Sequence, residues 1–181
     1  MPGPEIVAKP ASLLLAVGKV PLSDVITACR ALEDNAVRRA VSEEGGIGIP
    51  ALRVVLERDL PDAFRSRSLT RGAWGFHRAL VRASGVTTLA MVAEALHSIL
   101  ESHTEAVSDS RMYEDPDGYE AGYQRLRRSY GRMLDAVASG DPGDAAGQWN
   151  RHWTALERIL LAENSEVTVA EVVRSAGETR R

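Results

Sequence analysis

Apolar side chains in this chain recur every three or four residues, in stretches that open at a proline or a capping residue and close at a glycine, and nowhere do they alternate as a strand requires. That spacing lays a hydrophobic stripe along one side of a helix, and a stripe is stable only when another helix covers it. After Pro21, Ser23 can cap a helix to about Val41 whose stripe is Val25, Cys29, Leu32, Ala36 and Ala40, ended by the Gly45–Gly48 stretch. Pro50 suits the first turn of a second helix carrying Leu52, Val55, Leu56 and Leu60, which Pro61 interrupts. A third, Thr70 to Ser84, places Ala73, His77, Leu80 and Ser84 on one face beside Trp74 and Val81, and Gly85 stops it. The fourth, Thr87 to about Val107, has a broad apolar band of Leu89, Met91, Val92, Ala95, Leu96 and Ile99 that leaves His97 and His103 outside its centre.

Asp115 and Pro116 start a fifth helix, with Tyr119, Tyr123, Leu126, Tyr130, Met133, Leu134 and Val137 inward and Gly140 at its end. Asp141 and Pro142 start a sixth, with Ala145, Trp149, His152, Leu156, Ile159 and Leu160 on one face. The expected fold is all-α, an antiparallel bundle of about six helices. Residues 1–12, with Pro2, Pro4 and Pro10, read as an extended lead-in or interdomain linker, residues 13–164 as the helical domain, and residues 165–181 as a polar tail.

Composition removes several function classes. The 22 Lys and Arg are interleaved with 25 Asp and Glu for a net charge of -3, so no basic stripe is available to neutralise phosphates and nucleic acid is not expected as a partner of this chain alone. A single cysteine, Cys29 within an apolar stripe, excludes an internal disulfide framework and reads as a small buried hydrophobe. No run approaches the ~18 apolar residues of a membrane span, and none has the flanks of a signal peptide, so the expected location is the cytoplasm.

The residues that ask for a chemical reason are polar ones on inward faces. His77 and His152 project from the apolar sides of different helices, where an imidazole must satisfy its donor or leave a costly unpaired group. Each has a bland reading as a core histidine bonded to a neighbouring carbonyl or hydroxyl. The pair together suggests a site, to which Tyr130 can add a hydroxyl. Arg30 lies beside the first stripe near Glu33, where it either pairs with Glu33 or presents its fork to a bound carboxylate. An enzyme, for instance a metal-dependent hydrolase, is not expected: the inward stripes supply no acid, Glu157 projects from another face than His152, and Glu33 would have to reach across the core. The serious rival to a binding site is a dimerisation or scaffold bundle with a decayed pocket, its two histidines bonded to each other or to core hydroxyls.

Four stretches, ITACRALEDNAVRR at Ile26 to Arg39, GFHRALVRASG at Gly75 to Gly85, MLDAVASGDPGDAA at Met133 to Ala146 and NRHW at Asn150 to Trp153, together resemble the C-terminal effector domain of FadR-type GntR transcription regulators, from about Leu13 to Ala162. The resemblance implies a helical bundle that binds a small carboxylate metabolite, often through a divalent metal such as Zn²⁺ or Ni²⁺, and that sets the DNA affinity of a homodimer. It also implies metal ligands at the positions of Ala73, His77, Tyr130 and His152, of which this chain keeps the two histidines. The wide apolar band of the fourth helix agrees with a dimer. Ala73 opens volume and Tyr130 supplies a hydroxyl, so direct binding of an organic ligand by Arg30, Ala73, His77, Tyr130 and His152 is the preferred expectation. Val86 departs from the asparagine that the family commonly carries there. A winged helix-turn-helix is not expected in residues 1–21; the opening MPGPEIVAKP resembles the end of a wing and its linker, as in a chain cut at a domain junction, and a free-standing sensing domain is the other reading.

Overall fold

The computed structural model describes residues 5–42, 48–162 and 164–178. Among them the helices are α1 (Glu5–Val17), α2 (Leu22–Ser42), α3 (Ile49–Val54), α4 (Leu60–Arg65), α5 (Leu69–Ala83), α6 (Thr87–Glu114), α7 (Pro116–Ser139), α8 (Pro142–Leu160) and α9 (Val169–Glu178), with a π-turn, Val55–Asp59, joining α3 to α4. The all-α bundle expected from the periodicity is the fold that forms. No strand occurs among the described residues beyond an isolated bridge between Pro21 and Thr168. None of their helices is long and apolar enough to cross a membrane.

Local chemistry sets the helix ends where the sequence has strong signals. Asp115 accepts a hydrogen bond from the Gly118 amide ahead of Pro116, and Asp141 accepts from the amides of Gly143 and Asp144 ahead of Pro142. Gly140 closes α7 with φ of 79°, left-handed backbone that a side chain would strain. The stretch read as ending α2, Gly45–Gly48, falls mostly on residues 43–47, outside the described residues.

Helices α2, α5, α7 and α8 enclose the core, α6 packs along α5 and α2, and α1 and α9 lie against α6. The core is apolar and aromatic, with Trp74, Trp149, Trp153, Tyr130 and Phe76 among its largest fully buried side chains. Arg78 of α5 ties the α5–α6 seam by ion pairs with Glu94, at 2.8 Å, and Glu101.

Four expectations need correction. Residues 5–12 are not extended: they belong to α1, whose Leu15 and Ala16 pack on the core, and this tertiary burial outweighs the lost hydrogen bond of Pro10 within the helix. The segment read as a polar tail forms α9, held by Val167, Val169 and Val172 in the core and by backbone hydrogen bonds Leu22 N to Val167 O (2.8 Å) and Val169 N to Val20 O (3.0 Å). Pro61 does not end its helix, because the preceding π-turn, with Leu60 N bonded to Val55 O, widens the ladder where the proline lacks a donor, and the chain stays helical to Arg65. Finally, Ala95 and Ile99 of the expected α6 band are buried, but Met91 and Val92 are half exposed, and Ala93, His97, Leu100, His103 and Thr104 join the buried face. His97 is therefore at the centre of that face.

Candidate functional site

Glu33 is the organising group. It follows Cys29 by one helical turn on the buried side of α2 and is 0% exposed, so its carboxylate must be satisfied within the protein. The indole Nε1 atoms of Trp149 and Trp153, one turn apart on α8, donate to Oε2 at 3.0 and 2.6 Å. His77 Nδ1 lies 2.9 Å from Oε1 and 3.1 Å from Oε2. His97 Nε2 lies 2.7 Å from Oε1, an ion-pair distance, but without hydrogen-bond alignment, and both nitrogens of this fully buried ring are left without a hydrogen-bond partner. Burial alone pushes the Glu33 carboxyl up; the facing His77 and His97 imidazoles outweigh it and hold the group at about 2, so Glu33 is a carboxylate at neutral pH.

The protonation pattern follows from that charge. A carboxylate only accepts, so His77 Nδ1 carries the proton and donates. Burial holds His77 below its ordinary value despite Glu33, so the ring is neutral at pH 7 and its Nε2 is a bare acceptor. His152 Nε2, 3.1 Å away, is then the donor, and His152 Nδ1 accepts from the Ser129 hydroxyl at 3.2 Å. Burial first and His77 second push His152 down to about 3, which keeps it neutral as well. The result is a hydrogen-bond chain of one polarity from Ser129 through His152 and His77 to Glu33. Ser129 is half-buried and His152 is 7% exposed, so the chain runs inward from the α7–α8 seam.

The other expected residues fall as follows. Tyr130 is fully buried, stacks on Phe76 with ring centres 3.9 Å apart, and donates its hydroxyl to the Ala73 carbonyl at 3.3 Å. Burial and, second, Glu33 raise its phenol well above the ordinary value. Ala73 therefore meets the tyrosine through its backbone. Arg30 does not join this cluster and does not pair with Glu33: it points to the outer α2–α8 seam, donating to Asn150 Oδ1 at 2.8 Å and lying 3.7 Å from Glu157. The expectation that no inward acid exists is overturned by Glu33 itself. Grooves on the surface lie elsewhere, one beside Arg82, Val86 and Met91 and another beside Asn150, Arg151 and Arg158.

Sequence reasoning missed Glu33, His97, Ser129 and the two tryptophan donors. The signal for Glu33 was present, since it continues the Ile26, Cys29, Val37 face of α2, but a charged residue on a stripe reads as its edge until a partner is known.

The metal ligand set implied by the resemblance does not fit here. Ala73 has no donor side chain, the Tyr130 hydroxyl is committed to a carbonyl and resists ionisation, and two imidazoles alone make a poor closed site. The fold and this site define an all-helical domain that keeps a histidine–carboxylate chain in its core. Residues 24–155 match the FCD domain family, and the chain belongs to it: this is the C-terminal effector domain of GntR-family regulators, a regulatory, effector-binding domain. No curated protein and no solved structure gives a significant match.

Proposed function

We propose that this chain is the effector-binding and dimerisation domain of a FadR-type transcriptional regulator in the cytoplasm, and that it senses a small carboxylate metabolite through His77, Tyr130 and His152 without an ion at the four family positions. It is not an enzyme in this reading, and DNA contact belongs to a winged helix-turn-helix domain working with it. The observation that carries the reading is the one-polarity chain from half-buried Ser129 to Glu33. Polar groups of this kind are expensive in a core and concentrate at functional sites. An anion arriving at the outer end would meet a hydroxyl and a neutral imidazole able to reorient their protons toward it. Arg30 of α2, turned to the outer α2–α8 seam, has no part in the binding step.

A second reading, a scaffold bundle with a closed pocket, is favoured by the 3.1 Å contact between the two histidines, which satisfies each by the other. Thermal melts of the chain in EDTA against a panel of small carboxylates separate the two. A ligand at 100 times its dissociation constant adds about 2.7 kcal/mol. A rise of several degrees that His152→Ala abolishes supports the sensor, and no rise with any compound leaves the scaffold.

A further inference from the structure

We propose that Glu33, His77 and His97 form a divalent-metal site at the centre of the bundle, sharing only His77 with the four positions that the family resemblance assigns. It shares His77 with the effector reading, and its test reads the ion alone, so either can fail without the other. The three residues come from α2, α5 and α6, are all buried, and bring one ligand atom each to within 4.8 Å of the others. Glu33 Oε1 is the apex, 2.9 Å from His77 Nδ1 and 2.7 Å from His97 Nε2. An ion held at about 2.1 Å separates neighbouring donors by about 3.0 Å in octahedral and about 3.4 Å in tetrahedral coordination. The two sides that meet at Oε1, 2.9 and 2.7 Å, are shorter than the octahedral spacing by about 0.1–0.3 Å, a displacement that side-chain torsions supply, and the histidine–histidine side is at most 4.8 Å.

His97 is the independent sign. Its ring is 0% exposed, both nitrogens lack a hydrogen-bond partner, and Nε2 is aimed at Oε1 off the line of a hydrogen bond. Such a group is costly in a core, and coordination through Nε2 would occupy the nitrogen nearest the carboxylate. Trp149 and Trp153 hold Oε2, while Oε1 faces both imidazoles, His77 Nδ1 lying nearer to Oε1 at 2.9 Å than to Oε2 at 3.1 Å. Two imidazoles with one carboxylate select a first-row ion such as Zn²⁺, Co²⁺ or Ni²⁺ over Mg²⁺ or Ca²⁺, which prefer oxygen.

Binding has a consequence at the surface end of the chain. With His77 Nδ1 on the ion, the ring proton moves to Nε2 and donates to His152 Nε2; the His152 proton moves to Nδ1 and donates to Ser129, whose hydroxyl turns outward. Protons are conserved and the polarity of the chain inverts.

The test is equilibrium dialysis of the EDTA-stripped full chain against Zn²⁺ alone, with elemental analysis, together with ¹⁵N-detected imidazole NMR. The expected result is one ion per chain, affinity reduced about tenfold or more in His97→Gln and less than that in His152→Gln. The wild-type spectrum should show ligation shifts at His77 and His97 and a tautomer change at His152. Absence of stoichiometric Zn²⁺, unchanged affinity in a folded His97→Gln chain, or ligation shifts at His77 and His152 with none at His97 would each overturn the site. The NMR result decides the matter in the wild-type chain if His97→Gln fails to fold.

Discussion

Helices α2 and α8 hold two polar clusters that use the same kinds of groups on opposite sides of one seam. On the inner side Glu33, fully buried, takes hydrogen bonds from Trp149, Trp153 and His77. On the outer side Arg30, three residues earlier in α2, reaches Asn150, Thr154 and Glu157, with side chains of Arg30 and Glu157 still 35% and 40% exposed. Water competes for every outer contact, so each is worth little. Water is excluded from the inner cluster, so each donor there has no alternative to the carboxylate, and removing the carboxylate strands them together. The contrast separates what specifies the core from what decorates its edge.

The largest effect should come from Glu33→Ala. It leaves two indoles and an imidazole unpaired, and we expect a loss of about 3–5 kcal/mol in urea unfolding. At about 2–4 °C per kcal/mol for a chain of this size, the melting temperature should fall by about 10 °C. A loss below about 1 kcal/mol would mean that the inner cluster is no more demanding than the outer one.

Acid should expose the same difference without a mutation. The folded value of His152 is lowered from 6.5 to about 3, so the unfolded chain binds the extra proton first, and the stability tied to this group is lost as pH falls from about 6.5 toward 3. Glu33, lowered from 4.5 to about 2, adds a second loss that begins below about 4.5 and is complete below about 2. Unfolding free energy measured between pH 7 and 4 should decline steadily, and His152→Gln should flatten the upper part of the decline. An unchanged slope in that variant would place the acid sensitivity elsewhere.

The sequence made one half of this comparison easy to read and hid the other. Stripes at 3–4 spacing placed α2, α5, α7 and α8, and Asp–Pro caps with Gly140 fixed the ends of α7 and α8, because those signals are local. His77 and His152 were legible as inward histidines, since Leu80 and Trp149 mark their faces. Their bonds to Glu33 and to each other were not, because periodicity reports the direction of a side chain and never its partner on another helix. On α6 the apolar count drew attention to Met91 and Val92, while one line of the buried face runs through Ala93, His97, Leu100 and Thr104 at i, i+4, i+7 and i+11, where only Leu100 is a large apolar residue. Proline counting hid α1, whose stability comes from packing on α6 and α9.

Arg30 gives the smallest effect and the sharpest check on where the site ends. Its hydrogen bond to Asn150 at 2.8 Å is the best of its contacts; the Thr154 contact at 3.4 Å is long, and the Glu157 pair at 3.7 Å sits in solvent. Exposed pairs of this kind contribute about 0–1 kcal/mol, so Arg30→Ala should cost less than about 1 kcal/mol in the same unfolding assay. It should also leave untouched any melting shift that a carboxylate produces, whereas His152→Ala removes it. If Arg30→Ala abolished the ligand shift while costing little stability, the effector would sit on the outer seam of α8 near Asn150 and Arg151, and the buried chain would be structural alone.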